Sequence, residues 1–500
     1  MRFSKFLAAA ILIAASGFAA DTIVVNAAAS SRPFPHFWEQ VFGSGRANLS
    51  LREGYRRDLR DVREITGLGY VRFHAIFHDE NGVYDEDAQD RPVYNFTYVD
   101  QIYDGLLENG VRPFVELSFM PRKLVSNQTP HSFWYRPLPA PPKDWRRWED
   151  LIEHFARHLV ERYGVDEVAQ WYFEVWNEPN IDFWTGDPRE STYYQLYDGA
   201  AHALKRVSPR LRVGGPATAQ AAWIDRFISH CVQQNVPMDF VSTHVYGNDK
   251  AEDVFGTHEK IPRSDMVVRA MQKVHDQVKA SARPDIPIHW SEFNASYMNE
   301  VAVTDSPYMG PWLANTIRMA DGLVTTASYW TFSDVFEEQG VAKEPFYGGF
   351  GLIAPGNIRK AAFNAFALLH RLGTERIPVE SNVALATRSA DGSLAIAVWN
   401  YCAPEETGTA RDFTLSIRGL PRGGTVKITR IDRDHGSALA AWEAMGRPAT
   451  PTPAQQKLLR EAARMPDAEN RTLAPGTPAT VALSLAPHGL ALVEIAGSQK

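Results

Sequence analysis

Two glutamates follow apolar, aromatic stretches of the chain and stand far apart in the sequence. Glu178 lies in the run WYFEVWNEPN (171–180), and Glu292 lies in IPIHWSEFN (286–294). Hydrolysis of a glycosidic bond requires two carboxyl groups that face one cleft. One is protonated and gives its proton to the leaving oxygen, and the other is ionised and attacks or supports the anomeric carbon. The leading hypothesis is therefore a carboxylate pair.

The residues next to Glu178 suit such a role. Asn177 offers an amide to a sugar hydroxyl. Pro179 fixes its own φ angle and disfavours helical geometry at Glu178, so the carboxylate is aimed into a cleft rather than carried into a following helix. A structural alternative remains, in which Glu178 is a loop carboxylate with satisfied hydrogen bonds and Pro179 merely ends a strand. These ten residues alone do not choose between the two.

Short apolar stretches alternate with helical patterns through the middle of the chain. The eight apolar stretches lie at 37–45, 69–77, 112–120, 171–179, 211–218, 239–247, 286–294 and 327–335. Segments 148–164, 193–207 and 265–280 between them carry apolar residues at helical spacing. Eight strand–helix units predict a (β/α)8 TIM barrel, whose working groups lie at the C-terminal ends of the strands. A doubly wound sheet is the alternative, but no GxGxxG or GxxxxGK[ST] motif follows the first strand.

The pattern changes in the last part of the chain. Residues 373–500 contain short alternating strands broken by Gly, Pro and Asp, which predict an antiparallel β-sandwich accessory domain. Two short helical patterns interrupt it at 436–465. A strand pattern at 22–28 places residues 20–32 with the sandwich rather than the barrel, which leaves 33–372 for the catalytic (β/α)8 barrel.

The first nineteen residues resemble a secretory signal peptide. Arg2 and Lys5 precede a short apolar run and small residues, with a cleavage point after Ala19. The apolar run is shorter than the roughly 20 residues of a membrane span, and no later segment is long enough. We therefore expect residues 1–19 to be a signal peptide and the mature protein to be secreted or periplasmic, with no membrane segment. A retained N-terminal anchor is the alternative.

Composition excludes several classes of protein. The formal charge of −7 and the absence of a Lys/Arg cluster argue against a nucleic-acid partner. Cys231 and Cys402 are too few for a disulfide framework or a zinc site, and the sequence does not say whether they pair. No HExxH, HxH or GxSxG pattern occurs, so we expect neither a metal nor a Ser-His-Asp triad. The oligomeric state, monomer or homo-oligomer, stays open.

Longer motifs narrow the hypothesis. FEVWNEPN, STHVY, HWSEFN and YWTFSDVFEE resemble the glycoside hydrolases of family 39, the β-xylosidase and α-L-iduronidase family. The similarity continues through RFHAIFHDE, PFVELSFMP, PPKDWRRWEDLIEHF, FYGGFGLI and HGSALAAWEAMG, and so spans nearly the whole mature chain. The resemblance implies a retaining double displacement on a (β/α)8 barrel with an accessory β-sandwich. It implies Glu178 as acid/base and Glu292 as nucleophile, with carboxyl groups about 5–5.5 Å apart.

Arg72 is expected to support the nucleophile. It lies on the second strand, and a guanidinium beside Glu292 would favour the ionised carboxylate. The alternative is a structural ion pair of Arg72 with Glu174 or Glu116, which both lie inside strands.

The resemblance also implies residues that bind the sugar. His74, His244 and Tyr246 match residues of the glycone subsite, where a tyrosine hydroxyl can hydrogen-bond the nucleophile. His244 and Tyr246 are two residues apart and share one face of the sixth strand. Trp330 is expected under the sugar ring. The structural alternative for each of these is an ordinary core residue.

Three further residues complete the predicted substrate-binding set. Glu337 and Glu338 match family positions that contact sugar hydroxyls, although paired acids in a loop are usually only solvated. Phe119 either forms an apolar wall of the pocket or packs beneath it. His131 and the aromatic run at 133–137 lie in the long third loop, on the expected leaving-group side.

These features predict a retaining exo-β-glycosidase, a β-D-xylosidase that releases xylose from the non-reducing ends of xylo-oligosaccharides without a cofactor. The alternatives are another glycone (α-L-iduronate, a galactoside or an arabinopyranoside), a transglycosylase, or a carbohydrate-binding protein that has lost catalysis. An iduronidase needs a cation near the sugar carboxylate, and no Lys or Arg in the strand-end motifs clearly offers one. Xylose lacks the hydroxymethyl group of glucose, and a pocket discriminates such a group by only a few kcal/mol. Loop residues decide between the two sugars.

Overall fold

The computed structural model describes residues 20–420, 424–473 and 478–496; the predicted signal peptide at 1–19 lies outside the described residues. In chain order the strands are β1 (Asp21–Asn26), β2 (Arg32–Pro33), β3 (Val41–Arg46), β4 (Tyr70–His74), β5 (Tyr84–Glu86), β6 (Pro92–Tyr94), β7 (Arg112–Leu117), β8 (Tyr172–Val175), β9 (Arg212–Thr218), β10 (Phe240–Tyr246), β11 (Ile288–Asn294), β12 (Thr326–Tyr329), β13 (Ile353–Ala354), β14 (Ile358–Arg359), β15 (Glu375–Ile377), β16 (Ala384–Arg388), β17 (Leu394–Trp399), β18 (Arg411–Arg418), β19 (Thr425–Ile431), β20 (Glu469–Thr472), β21 (Ala479–Leu485) and β22 (Leu490–Ile495).

The helices are α1 (Glu53–Ile65), α2 (Thr97–Glu108), α3 (Trp145–Tyr163), α4 (Val165–Val168), α5 (Arg189–Val207), α6 (Ile224–Gln233), α7 (Ala251–Phe255), α8 (Arg263–Ala280), α9 (Val301–Thr304), α10 (Met309–Ala320), α11 (Ala361–Leu369), α12 (Leu439–Ala444) and α13 (Pro453–Ala462). Short 3-10 helices lie at Ala47–Leu51, Asp79–Asn81 and Ala219–Ala221.

Eight parallel strands close into a barrel in the order β3, β4, β7, β8, β9, β10, β11 and β12. At least one helix follows each strand in the sequence, and each of the eight predicted apolar stretches overlaps one of these strands. The predicted (β/α)8 TIM barrel is therefore confirmed. In this fold the C-terminal ends of all eight strands meet at one face.

Local sequence explains how the helices begin and face the barrel. The side chain of Asp144 accepts hydrogen bonds from the backbone N–H groups of Arg146 and Arg147, which caps α3. Leu151 and Phe155 on this helix are buried at one-turn spacing. The helix thus packs an apolar stripe on the outside of the barrel.

The C-terminal part of the chain forms two sheets that share a core. A seven-stranded sheet has the order β2-β15-β16-β17-β22-β19-β20, and a three-stranded sheet has the order β1-β18-β21. Residues from both sheets, such as Ile396, Leu415 and Val493, pack together in one buried cluster. The predicted β-sandwich is confirmed, and β1 belongs to it, running parallel to β18.

The helices α12 and α13 contribute Trp442 and Leu459 to a separate buried cluster that includes Phe346.

The N-terminal end of the barrel interior is an aromatic plug, made of Phe114, Tyr172, Phe240 and His289. The ring centroids of Phe114 and Tyr172 are 5.1 Å apart, and those of Tyr172 and His289 are 4.4 Å apart. Phe240 meets Phe114 edge to face at 5.7 Å. These rings close the lower end of the barrel.

A buried lysine fixes the long segment between β12 and α11. Lys360 Nζ lies 2.6 Å from Asp305 Oδ1 and 2.6 Å from Asp334 Oδ2, and it donates to the carbonyl of Gly349 at 2.8 Å. All three charged side chains are essentially inaccessible to solvent. This lysine staple ties residues 334, 349 and 360 to the loop before α10.

Two further findings concern membrane and redox chemistry. Within the described ranges, no helix has both the length and the apolar character of a membrane span. Cys231 and Cys402 are both free thiols.

Candidate active site

A cavity of about 370 Å³ opens at the C-terminal ends of the barrel strands, within the size range of small-molecule sites. Eight residues that the sequence singled out line it: His74, Asn177, Glu178, His244, Tyr246, Glu292, Trp330 and Glu338. Three others that the sequence singled out, Arg72, Phe119 and Glu337, do not line it. The two glutamates proposed for chemistry therefore share one cavity.

The segment after β8 aims Glu178 into this cavity. Trp176 and Glu178 have φ angles of 74° and 45°, in the left-handed region that costs free energy for residues other than glycine. The backbone N–H of Glu178 donates to the carbonyl of Ala217 at 2.8 Å, which holds this turn against the end of β9. Pro179 follows, so the chain leaves the strand without continuing into a helix.

Glu178 and Glu292 face each other closely. One carboxylate oxygen of Glu178, one of Glu292 and a ring nitrogen of His244 all lie within 4.8 Å of one another. Carboxyl groups about 5–5.5 Å apart are typical of retaining glycosidases, whereas inverting enzymes need about 6.5–9.5 Å to admit a water. The arrangement leaves room for direct attack on a sugar carbon.

Two donors hold the carboxylate of Glu292. Arg72 Nη1 donates to Oε1 at 2.6 Å, and the Tyr246 hydroxyl donates to Oε2 at 2.6 Å. Burial raises the pKa of Glu292 to about 7, and Arg72, His74 and the Tyr246 hydroxyl limit this rise. Burial and the nearby carboxylate raise the pKa of Tyr246 well above its ordinary value, so its hydroxyl remains a donor. The two donors favour an ionised Glu292.

Arg72 makes the contacts that both predicted possibilities require. Its guanidinium contacts Glu292 and also lies 2.5 Å from Glu174 and 2.8 Å from Glu116. It donates to Asn177 Oδ1 at 2.9 Å as well, which orients the amide of that residue in the cavity. Arg72 does not line the cavity, and its guanidinium lies among buried carboxylates and holds the carboxylate of Glu292.

Glu178 has the opposite environment. Burial raises its pKa well above the ordinary value, and the negative charges of Glu292 and Asp249 raise it further. Its Oε1 lies 3.0 Å from His244 Nδ1. Burial, assisted by the positive charges of Arg72 and His74, lowers the pKa of His244 well below its ordinary value. At neutral pH these shifts favour a protonated Glu178 beside a neutral imidazole.

His74 is a buried cation. Burial alone would lower its pKa, but Glu116 at 2.7 Å and Glu338 at 3.5 Å raise it to about 10. Its ring lies 4.8 Å from that of Trp330, centroid to centroid.

Trp330 lines the cavity while only 3% exposed, and a Cβ on Gly43 would come within 2.2 Å of its ring. The close approach of Trp330 to β3 thus requires glycine at position 43.

The neighbouring acids Glu337 and Glu338 point to different partners. Arg46 and Arg52 bind the carboxylate of Glu337. Burial alone would raise the pKa of Glu337, but the two arginines outweigh it and lower this pKa overall. Glu338 lines the cavity, and its buried Oε1 has His74 Nε2 at 3.5 Å and no closer polar partner among the described residues. Of the two, Glu338 is the one available to a ligand.

Phe119 packs beneath the pocket, which was the second of its two predicted positions. It is fully buried and meets the rings of Trp176 and Phe183 at 5.4 and 6.0 Å. Phe133 from the third loop does line the cavity. His131 stacks on Phe183 at 4.3 Å behind that wall.

Sequence reasoning missed several lining residues. They are Ile181, Phe183, Ala219, Gln220, Asp249, Tyr297, Gln339 and Phe350. Most lie in loops after the strands, and Asp249, three residues after Tyr246, accepts the backbone N–H of that tyrosine at 2.7 Å. A search for polar residues just beyond each strand end could have found Asp249.

Within the part of the chain that the structure describes, two trios have residue types and spacings that a metal ion could use: His36–Glu39–His370 and Glu178–His244–Glu292. In the first, both imidazoles hydrogen-bond Glu39 Oε1 directly, at 2.8 and 2.9 Å. Ligands about 2.0–2.2 Å from a tetrahedral zinc lie farther apart than that, so this trio fits a hydrogen-bonded cluster better. In the second, hydrogen bonds account for the three side chains, and double displacement needs no ion.

Comparison with known proteins agrees with this geometry. The sequence profile described as Glycosyl hydrolases family 39 matches residues 21–477. The chain is 37% identical over 441 residues to a β-xylosidase of Geobacillus stearothermophilus, a match that covers 86% of this chain and 87% of that protein. It is 35% identical over 472 residues to a β-xylosidase of Caldicellulosiruptor saccharolyticus, covering 92% and 95%. The crystal structure of a monomeric β-xylosidase from Caulobacter crescentus CB15 aligns with a TM-score of 0.88 at 32% identity, covering 96% of this chain and 100% of that one.

Proposed function

Since the chain belongs to glycosyl hydrolase family 39, we propose that it is a retaining exo-β-D-xylosidase with Glu178 as acid/base and Glu292 as nucleophile. The observation that carries the proposal is the close carboxylate pair with unlike partners. Arg72 and Tyr246 donate to Glu292, whereas Glu178 faces the ring nitrogen of His244. Such a difference supports one protonated and one ionised carboxyl group among two chemically identical side chains.

The reaction then has two steps. In the first, a carboxylate oxygen of Glu292 attacks the anomeric carbon while Glu178 gives its proton to the leaving oxygen, so that the glycosidic bond breaks and a glycosyl ester forms. In the second, Glu178 takes a proton from a water molecule, which attacks the same carbon and frees Glu292. Two inversions give a product of retained configuration.

Charge in the cavity favours a neutral glycone. Asp249 and Glu338 line it together with the two proposed catalytic acids, and no Lys or Arg of the described ranges does. His74 is cationic, but Glu116 and Glu338 already balance it. A uronate carboxylate would meet negative charge, which disfavours the α-L-iduronidase alternative. The two relatives named β-xylosidase favour xylose among neutral glycones.

Azide rescue tests the two roles directly. Glu178→Ala and Glu292→Ala should both lose turnover of an aryl β-xyloside, the second by more than about 10⁴-fold because no nucleophile remains. Azide should give a β-glycosyl azide with the first variant and an α-glycosyl azide with the second. Glu252→Ala, which removes a largely exposed carboxylate, is the matched control. Activity like that of the wild type in either glutamate variant would disprove the assignment.

A panel of aryl glycosides separates the remaining alternatives. It should contain the β-D-xyloside, β-D-glucoside, β-D-galactoside, α-L-arabinopyranoside and α-L-iduronide. The highest kcat/KM is expected for the xyloside. Product analysis at high acceptor concentration distinguishes a transglycosylase from a hydrolase, and release of aryl alcohol in any assay excludes a protein that only binds carbohydrate.

The same proposal includes export from the cytoplasm and trimming of xylo-oligosaccharides outside it. Support comes from the n-region, apolar run and small residues of the first nineteen positions. Expression of the full chain in a bacterium, followed by N-terminal sequencing of the extracytoplasmic protein, should give a chain that begins at Ala20. Recovery of the uncut chain in the membrane fraction would favour the retained anchor.

A further inference from the structure

Ser291 is a buried hydroxyl next to the nucleophile that the mechanism above does not use. Its Oγ donates to Glu174 Oε1 at 2.6 Å and lies 3.1 Å from His244 Nε2. Strand alternation would send Ser291 and Glu292 to opposite faces. The register of β11 against β12 shifts between Trp290 and Phe293, and both consecutive side chains reach the interior network.

A count of protons gives this network a direction. Arg72 Nε lies 2.5 Å from Glu174 Oε2, so Glu174 is a carboxylate that can only accept. The Ser291 hydroxyl has one proton, and the contact with Glu174 uses it. The Ser291 oxygen can therefore only accept from His244, and the hydrogen of that imidazole must be on Nε2.

The other ring nitrogen is then fixed as well. His244 is buried beside two cations, Arg72 and His74, which keep the imidazole neutral. A neutral imidazole with its hydrogen on Nε2 has a lone pair on Nδ1. Glu178 Oε1 lies 3.0 Å from Nδ1. Two acceptor atoms at this distance repel each other unless one of them has a hydrogen.

We propose that Ser291 is a positioning residue that holds His244 in the Nε2–H tautomer, so that its Nδ1 lone pair keeps a proton on the carboxyl group of Glu178. The inference rests on the proposed acid/base role of Glu178. It names a chain of hydrogen bonds, Glu178–His244–Ser291–Glu174, that ends on Arg72. The same guanidinium that contacts the nucleophile thus also directs the proton of the acid.

The charged groups that face Glu178 and His244 come from several strands. They are Glu292 on β11, Asp249 after β10, and Arg72 and His74 on β4. The acids favour a protonated Glu178, and the cations favour the ionised form. Glu292 Oε1 lies 3.6 Å from His244 Nδ1, beyond hydrogen-bond distance, whereas Ser291 Oγ lies 3.1 Å from Nε2. Ser291 is the group that makes this choice.

The chain has a consequence for both steps of the reaction. When Glu178 gives up its proton, its carboxylate faces a lone pair rather than a donor. The ionised form gains no stabilisation from His244, so Glu178 remains basic enough to take a proton from the incoming water. An Nδ1–H tautomer would donate to that carboxylate and weaken the base.

The decisive variant is Ser291→Ala. Without the hydroxyl, His244 can place its hydrogen on Nδ1 and donate to Glu178, which favours the carboxylate. The basic limb of the pH profile of kcat/KM should then move to lower pH by about one unit, and the acidic limb should stay in place. The loss of rate should be larger for xylobiose than for an aryl xyloside with a good leaving group, because only the former needs the proton.

Ser291→Thr keeps a hydroxyl and should retain the profile of the wild type. Thr243→Val is the matched control: it removes another buried hydroxyl, which donates to the carbonyl of Thr218 at 2.7 Å on the neighbouring strands. If Ser291→Ala lowered activity only by weakening the fold, the Thr243→Val control would lose activity as well. In that case neither limb of the pH profile would move in either variant. An unchanged basic limb in a folded Ser291→Ala variant would overturn the inference.

Imidazole ¹⁵N NMR of the wild-type protein tests the tautomer without any activity. The expected spectrum shows the hydrogen of His244 on Nε2 at neutral pH, with the resonance assigned by its loss in His244→Asn. A hydrogen on Nδ1 would refute the inference even if Ser291→Ala failed to fold. If the wild type does not hydrolyse aryl glycosides at all, the proposed function fails instead, and the two failures are thus distinguishable.

Discussion

The two ends of the barrel interior are built from the same strands and have opposite chemistry. Four strands each contribute one residue to the aromatic plug and one to the charged network, by which we mean Arg72, the buried carboxylates around it and the neutral His244 that joins them through Ser291. The pairs are Phe114 and Glu116 on β7, Tyr172 and Glu174 on β8, Phe240 and His244 on β10, and His289 and Glu292 on β11. All of these side chains are buried except that of Tyr172, which is partly buried. A few residues along each strand separate a core stabilised by packing from a site stabilised by balanced charge.

Two histidines show what makes the difference. Burial, helped by the positive charge of Arg212, lowers the pKa of His289 to about 3 in the plug. His74 is equally buried, yet Glu116 and Glu338 raise its pKa to about 10. Burial alone therefore does not set the charge of a group in this barrel. The carboxylates placed around it do.

The largest expected effect comes from Arg72→Met, which would break the charged end. Three buried carboxylates would lose their cation, and the free energy of unfolding should fall by about 3–5 kcal/mol. Loss of the guanidinium also raises the pKa of Glu292, so kcat should fall on the order of 10²–10³-fold. Denaturant titration and steady-state kinetics measure both.

Arg212→Met is the matched control at the other end, where Arg212 lies over the ring of Tyr172 at 3.8 Å. We expect kcat near the wild-type value for this variant. Equal losses of kcat in both arginine variants would contradict the division between the two ends.

Phe240→Ala should break the plug and leave the chemistry intact. Removing a buried aromatic side chain costs about 3–5 kcal/mol of unfolding free energy. At a temperature where the variant stays folded, kcat should be unchanged, because the ring contacts Phe114 and Tyr172 rather than the charged network. Thermal unfolding monitored beside an activity assay checks this, and a large fall in kcat would show that the plug positions the catalytic groups.

Tyr246→Phe should give an intermediate loss confined to activity. It removes the hydroxyl that donates to Glu292 Oε2 at 2.6 Å, and with it a contact that lowers the pKa of this carboxyl group. Because Glu292 must be ionised to attack, the acidic limb of kcat/KM should move to higher pH. The fall in kcat/KM at acidic pH should be about 10-fold. A limb that stays in place would show that this hydroxyl does not control the nucleophile.

The smallest expected effect is a difference in charge between His74 and His289, and it can be measured without a mutation. NMR titration should show His74 protonated and His289 neutral across neutral pH. The folded pKa of His74 is raised, so its stabilisation is complete below about pH 6.5 and is lost as pH rises through about 10. The folded pKa of His289 is lowered, so its contribution is present above about pH 6.5 and is lost as pH falls through about 3. Like charge states for the two rings at pH 7 would contradict the comparison.

The sequence predicted the barrel and the acids because both follow simple periodic rules. The apolar stretches overlap the observed strands, and Glu178 and Glu292 lie at strand ends, where a TIM barrel collects its chemistry. Arg72 was predicted either to support the nucleophile or to form a structural ion pair, and its guanidinium contacts both Glu292 and Glu174. The two possibilities were not exclusive because one guanidinium has five donors.

Other features depend on local geometry that no periodic rule contains. Ser291 escaped notice because alternation assigns it to the face opposite Glu292, and the register shift in β11 removes that alternation. Glu337 and Glu338 looked equivalent, but Glu337 has a left-handed φ of 67° and binds two arginines, whereas its neighbour lines the cavity. Asp249 and Tyr297 enter through loops whose course depends on tertiary contacts.

The lysine staple has a consequence for how the protein fails when heated. Lys360 connects Asp305 and Asp334 inside the molecule, and the segment that it holds includes Glu338 and Phe350 of the cavity wall. Detaching that wall would break a buried ion cluster, and removing one partner of such a pair costs about 3–5 kcal/mol, a large share of the roughly 5–15 kcal/mol by which a domain is stable. Heat inactivation should therefore coincide with global melting rather than precede it, and engineering for durability should target overall stability instead of this wall.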